Sequence, residues 1–202
     1  EEALCLNCIM HLPRTCFPAQ DNPMHRMFFG IIPVEKASAL CYYAPGSVVS
    51  RAVYDLKYND RPDVGLFLGR IMANELLPTG FFDGIDLLVP LPLANKRLRQ
   101  RGYNQSRLLA EGISEITRLP IADSVVCRTV FKESQTRLLR YDRQQNVANV
   151  FQLTDSASLR GCHVLIVDDI VTTCATVTSC ARELLKVEGL KVSILAFGLT
   201  KT

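Results

Sequence analysis

Two adjacent acids, Asp168 and Asp169, stand at the end of the apolar run His163-Val164-Leu165-Ile166-Val167, and Ile170-Val171-Thr172-Thr173-Cys174-Ala175-Thr176 follows. The run reads as a buried strand, and the hydroxyl-rich segment reads as a loop that opens a helix at Ala175. A helix N-terminus offers unpaired N–H groups and a partial positive charge, which suits a phosphate. The hydroxyls of Thr172, Thr173 and Thr176 add donors, and the small Cys174 and Ala175 let backbone approach an anion. The acids have the wrong sign for a phosphate. They suit neighbouring ribose hydroxyls, whose hydrogen bonds a carboxylate accepts. One ligand carrying both groups, a ribose 5-phosphate, satisfies the whole segment. Two blander readings remain beside it: paired acids can hold Mg²⁺, and a threonine turn can be a plain helix cap. Neither G-x-x-x-x-G-K-[ST] nor G-x-G-x-x-G occurs.

Several elements must position this turn. Ser47 is expected to cap a helix reaching about Tyr58, with Val48, Val49, Ala52, Val53 and Leu56 at helical spacing. Pro62 suits the first position of a second helix, which Pro78 stops. Ile85–Val89 reads as a short buried strand, Arg101–Ile116 as an amphipathic helix and Ile121–Val126 as a strand. Residues 128–150 read as a long polar loop, of the kind that is often functional. Ala175–Val187 reads as a helix and Val192–Leu199 as the closing strand. Strands that are apolar on both faces and alternate with helices imply an α/β domain with a mostly parallel sheet. In such sheets ligands bind beyond the carboxyl ends of the strands.

Residues 1–40 differ from the rest. They hold Cys5, Cys8, Cys16, His11 and His25 with little periodicity, and they read as a small irregular module before a main domain at 41–202. Cys5-Leu6-Asn7-Cys8 has the spacing of half a zinc knuckle, whereas structural zinc takes four ligands. The alternative is a pair of free thiols. The chain starts without Met, so the native protein is expected to begin earlier.

The residues also carry a resemblance. Val167-Asp168-Asp169-Ile170-Val171-Thr172-Thr173-Cys174-Ala175-Thr176 resembles the phosphoribosyl pyrophosphate motif of type I phosphoribosyltransferases. Val89-Pro90-Leu91-Pro92-Leu93, Arg101-Gly102-Tyr103-Asn104-Gln105 and Arg137 with Arg143-Gln144-Gln145-Asn146-Val147 and Phe151 resemble the ComF/GntX family. Leu56-Lys57-Tyr58 and the cysteine-bearing start fit it too, so the resemblance spans nearly the whole chain. It implies a phosphoribosyltransferase-like fold and a setting in competence, the uptake of DNA. It also implies phosphoribosyl pyrophosphate with Mg²⁺ as ligand, Asp168 and Asp169 on the ribose, and Thr172–Thr176 on the 5-phosphate. Single-stranded DNA and competence or replication-restart proteins are the implied partners. Zn²⁺ is implied only if cysteine ligands preceding this chain are present. The family has Gly where this chain has Cys174, and Cys174 is expected to narrow the loop because Gly reaches positive φ without steric cost.

By the same resemblance the pyrophosphate loop falls at Leu91–Lys96, with Leu91, Pro92, Lys96 and Arg97 as its residues; a turn with solvated charges is the alternative. Arg101 offers a fork of donors for phosphate. Asn104 and Gln105 can hold ligand or backbone, and Asn104 can equally be a helix cap. From 96 to 143 eleven basic residues face five acids, an excess of six in a chain whose net charge is +3. With Tyr103 and Tyr141 inside it, this stretch can grip a polyphosphate or stack and hold a single strand.

Hydrophobic residues make up 48% and charged residues 21%, which fits a globular protein. No apolar run has the length of a membrane span, and the first residues are not a signal peptide. Cysteines scattered through apolar stretches point to a reducing, cytoplasmic setting.

Overall fold

The computed structural model describes residues 4–129 and 150–200. In chain order its elements are α1 (Leu6–Met10), α2 (Pro23–Arg26), β1 (Ala37–Tyr43), α3 (Val48–Tyr58), α4 (Pro62–Leu76), β2 (Leu87–Pro90), α5 (Asn95–Arg101), α6 (Gln105–Thr117), β3 (Val126–Arg128), β4 (Phe151–Leu153), β5 (His163–Val171), α7 (Ala175–Leu184) and β6 (Lys191–Thr200). Four strands form one parallel sheet in the order β1-β6-β5-β2, and β3 pairs with β4 as a separate antiparallel ribbon.

The sheet is buried on both faces because its strands alternate between two apolar layers. In β5, Val164 and Ile166 join the layer under α7, while Leu165 and Val167 join the layer under α3, α4 and α6. All four are fully buried, and each such side chain contributes about 1.5–3 kcal/mol of hydrophobic stabilisation. On the second layer α4 crosses α6 backbone to backbone. A Cβ at Gly69 would fall 2.2 Å from the Leu109 carbonyl oxygen, and one at Gly112 would fall 2.2 Å from that of Leu66. This crossing fixes α6, whose N-terminus reaches the site.

Several sequence expectations hold. Ser47 caps α3 by accepting from the Ser50 N–H, and Pro62 opens α4. Others need correction. The expected helix from Arg101 to Ile116 starts later, at Gln105: Arg101 is the last residue of α5, a helix not expected from the sequence, which Gly102 at φ 79° ends before Asn104 caps α6. Ile121–Val126 is not a strand; it touches the sheet through a single bridge, Leu88 to Ile121, before β3 begins at Val126. The strand placed at His163–Val167 runs on to Val171, so both acids lie within β5, with Asp168 in register with Ala196.

The boundary expected between residues 40 and 41 falls inside β1, which pairs with β6 from Ala37 to Tyr43. The segment before it contributes Met24, Phe28 and Ile32 to the layer under α7, so the start of the chain is part of the main core. Most of the expected loop 128–150, with Lys132, Arg137, Arg140, Tyr141 and Arg143, lies outside the described residues.

Candidate functional site

At the carboxyl edge of the sheet, β5 turns into α7 and β2 turns into α5. A cleft of about 200 Å³ lies between these turns. Asp168 and Asp169 line it, together with Thr172, Thr173, Cys174, Ala175 and Thr176 from the first turn and Leu91, Pro92 and Arg97 from the second. Arg101, Asn104 and Gln105 complete the expected residues that meet there. Lys96 is the exception. It is exposed on α5 and does not line the cleft, since the first helical turn points it away while Arg97 points in.

The acids are held differently. Asp169 is 8% exposed and pairs with the Lys57 ammonium, Oδ2 to Nζ, at 2.8 Å. Its Oδ1 accepts from the Ile170 N–H at 2.7 Å. Among the described residues no cation forms an ion pair with Asp168. Its Oδ1 accepts from the Ser106 hydroxyl at 3.1 Å and the Asp169 N–H at 2.8 Å. Burial, and then the neighbouring Asp169 charge, push the Asp168 carboxyl up to about 7. Lys57 and Ser106 oppose that rise.

The β5–α7 turn meets the requirements of an anion site. Thr172, Thr173, Ala175 and Thr176 are exposed, and Cys174 immediately precedes α7. Cys174 sits at φ 59°, a left-handed conformation that L-residues other than Gly, Asn and Asp seldom adopt. It does so with its thiol buried against Met27, Sγ to Sδ 3.8 Å, and burial raises that thiol to about 11. The side chain therefore points into the core and leaves the loop open, contrary to the expected narrowing.

Across the cleft, Asn104 is the cap of α6. Its Oδ1 accepts from the Ser106 N–H, and its Nδ2 donates to the Leu91 carbonyl at 3.0 Å, tying the β2 turn to α6. Gln105 is buried and accepts from Arg101 Nη1 at 2.8 Å. The Arg101 guanidinium also lies 5.3 Å from the centre of the Tyr58 ring. Arg128 on β3 enters from the α7 side and rests 5.5 Å from the Phe151 ring centre. Its guanidinium is lowered first by burial and then by the Arg97 charge.

Three polar lining residues escaped the sequence reading as site residues: Lys57, Ser106 and Arg128. Lys57 had a visible signal, a lone cation in the last turn of an amphipathic helix. Ser106 had none, because only the split between α5 and α6 aims it at Asp168. At the far end of the chain, Cys5 caps α1 by accepting from the Cys8 N–H. No three His, Cys, Asp or Glu side chains converge as a metal site among the described residues.

Comparison with known proteins fits this edge to a lineage. No family model matches the chain. The DNA utilization protein YhgH of Escherichia coli (strain K12) is 32% identical over 157 residues, covering 76% of this chain and 67% of that protein. The chain belongs to the ComF family. Competence protein F of Haemophilus influenzae is 34% identical over 114 residues, 55% of this chain and 50% of its own length. Competence protein ComFC of Bacillus subtilis is 31% identical over 116 residues, 57% of this chain and 45% of its own. The family thus carries proteins named for competence and DNA utilisation.

The fold is an α/β one, a four-stranded parallel sheet flanked by helices. Among solved structures, glutamine phosphoribosylpyrophosphate amidotransferase from B. subtilis aligns over 70% of this chain and 30% of its own, at 19% identity and TM-score 0.47. UMP synthase of Leishmania donovani aligns over 70% of this chain and 24% of its own, at 19% identity and TM-score 0.41. The chain spans less than a third of either protein. Among the described residues no helix is long and apolar enough to cross a membrane.

Proposed function

We propose that this ComF chain binds phosphoribosyl pyrophosphate with Mg²⁺ and transfers its phosphoribosyl group, in the cytoplasm and in a DNA-uptake setting. One observation carries the reading: the acid pair and the exposed threonine turn line a single cleft opposite Arg97 and Arg101. The acids accept from the ribose hydroxyls, and the turn at the start of α7 takes the 5-phosphate. The arginines face the pyrophosphate as donors of charge-assisted hydrogen bonds.

In the reaction the bond from C1 to the pyrophosphate oxygen breaks, and its electron pair leaves with pyrophosphate. The acceptor's nucleophile bonds to C1 and gives up its proton. Positive charge on the ring is stabilised by the carboxylates beside it. Energy from the remote 5-phosphate contact holds C1 in place. The acid pair alone offers too few ligands for a protein cage, so Mg²⁺ would be held together with the ligand beside Asp168 and Asp169, and it would supply charge neutralisation there.

The test compares ribose 5-phosphate, ribose and inorganic phosphate as ligands. The reading expects ribose 5-phosphate to bind at least tenfold more tightly than either fragment, because the acid pair and the threonine turn then engage together. Equal affinity for phosphate alone would reduce the site to a general anion pocket.

A second reading has its own observation. A groove of about 830 Å³ continues from the cleft past Lys57, Tyr58, Arg97, Arg99, Arg101 and Tyr103. Cations beside the exposed Tyr58 ring suit a single strand of DNA, with phosphates on the arginines and a base on that ring. This reading expects oligonucleotide affinity that falls steeply with salt.

A further inference from the structure

The chain enters α7 in an unusual way. Ser47, Ala94 and Asn104, which precede α3, α5 and α6, are all extended, whereas Cys174 before α7 is left-handed at φ 59° and ψ −6°. Its carbonyl accepts from the Thr178 N–H at 2.8 Å. Among the described residues its side chain makes no capping hydrogen bond. The first N–H groups of α7 are therefore not taken up by a side-chain cap, and they remain for an anion.

An L-residue such as Cys needs support to stay left-handed, because its Cβ crowds the following carbonyl. The support visible here is Met27. The Cys174 thiol is buried, and its Sγ meets Met27 Sδ at 3.8 Å. A thiol donates weakly and a thioether accepts weakly, so the contact is mainly apolar packing. Cys174 also belongs to the layer that holds Val171, Val177, Met24, Phe28 and Ile32, and Met27 packs against that layer.

Met27 lies 147 residues from Cys174 in the chain, and a polar frame fixes its place. It directly follows α2. Asn22 caps α2 by accepting from the His25 N–H. Asn22 is itself 2% exposed and donates to the Pro18 and Ala37 carbonyls at 2.7 and 2.6 Å. His25 Nδ1 accepts from the Asp21 N–H at 3.1 Å, and its Nε2 donates to the Val34 carbonyl at 2.9 Å. These bonds tie α2 to β1 and to the loops on either side of it, so Met27 meets Cys174 from a fixed position.

We propose that Met27 is a positioning residue for the anion turn: packed on the Cys174 thiol, it holds that residue left-handed and keeps the first N–H groups of α7 open to the cleft. The proposal rests on the ribose-phosphate reading and deepens it, since it makes the segment before β1 a support of the binding site that never touches the ligand. Without Met27, Cys174 relaxes toward the extended geometry of the other helix entries, and only the fraction of molecules with an open turn binds. Glycine needs no such support, because it reaches positive φ without steric cost.

The experiment titrates ribose 5-phosphate by calorimetry into the unmodified protein, Met27→Ala and Met27→Leu, and into Cys174→Gly with and without Met27→Ala. A thermal melt accompanies each. Met27→Ala should weaken binding about fivefold, as the strain of a left-handed L-residue allows. In the Cys174→Gly background the same substitution should change affinity by less than about twofold. Met27→Leu keeps the apolar volume and should bind within about twofold of the unmodified protein. Met27→Ala should lower the melting temperature in both backgrounds, so affinity and not stability separates positioning from plain packing. Unchanged affinity in Met27→Ala, or an equal loss in both backgrounds, overturns the proposal and leaves the cleft reading intact. A loss in Met27→Leu as large as in Met27→Ala overturns it too. If Met27→Ala does not melt cooperatively, Met27→Val, a milder truncation, carries the same comparison. Failure of ribose 5-phosphate to bind the unmodified protein is separately visible, and it removes the cleft reading together with the proposal.

Discussion

The two turns that face each other across the cleft are built on opposite principles. Both follow buried parallel strands, β5 and β2. The β5–α7 turn offers acids, hydroxyls and backbone N–H groups but no basic side chain. The turn after β2 opens into α5 and carries Arg97 and Arg101 but no acid. The first suits a group that stays bound through a reaction, because fixed backbone donors cost no reordering when the ligand arrives. The second suits a group that must leave, because arginines on a short, exposed helix grip an anion through screened charge. In the proposed reaction these groups are the ribose 5-phosphate and the pyrophosphate.

The sharpest break of that contrast is Arg97→Ala/Arg101→Ala. Each charge-assisted hydrogen bond contributes about 1.5–3 kcal/mol, so affinity for phosphoribosyl pyrophosphate should fall by tenfold or more. Ribose 5-phosphate, which never reaches that turn, should bind within twofold of before. Equal losses for both ligands would erase the distinction between the turns.

Lys57→Met comes next. Lys57 neutralises Asp169 and opposes the rise of the Asp168 carboxyl. Without it the Asp168 carboxyl ionises at higher pH. The pH at which ribose 5-phosphate binding reaches half its maximum should move up by about one unit, roughly a fivefold loss at pH 7. In the unmodified protein, affinity should rise as pH increases through about 7, as Asp168 becomes a full acceptor.

The Asp168 carboxyl should also leave a mark on stability. Its value is raised in the folded protein above the ordinary 3.8. The stability linked to it is therefore complete below that ordinary value and is lost as pH rises through about 7. Asp168→Asn should stabilise the fold at pH 8 by about 1 kcal/mol, roughly 2–4 °C in Tm. The gain should vanish near pH 4. Thermal melts at both values check the sign.

The smallest effect is expected at Cys174→Gly. Relief of the left-handed strain favours Gly by about 1 kcal/mol, and loss of the thiol's packing on Met27 offsets it. Stability should change by less than about 1 kcal/mol, and phosphate affinity by less than threefold, in a parallel melt and titration. A larger gain in affinity would mean that the thiol obstructs the anion after all.

The same contrast explains what the sequence made legible. The β5–α7 turn is local: strand, acids, hydroxyls and helix follow each other within fourteen residues, and each announces its neighbour. The strand's true end was hidden because Ile170 and Val171 favour strand as strongly as the residues before the acids. The β2 side is assembled from parts far apart in the chain. Gly102 ends α5 two residues before Asn104 caps α6, and α5 itself has one apolar residue, Leu98, so no helical pattern announced the turn that aims Arg97 in and Lys96 out. Ser106 and Arg128 reach the acids only through tertiary packing. β1 was missed because Ala37-Ser38-Ala39 lacks the β-branched and aromatic residues that mark a strand, and only its pairing with β6 makes it one.

The central claim is one ligand held at both turns. Calorimetric titration with phosphoribosyl pyrophosphate and Mg²⁺ tests it most directly, run beside Asp168→Asn/Asp169→Asn. Saturable binding to the unmodified protein, weakened a hundredfold or more in the double variant while its melt remains cooperative, is the predicted result. No binding by the folded, unmodified protein, or equal binding by both, would contradict the account.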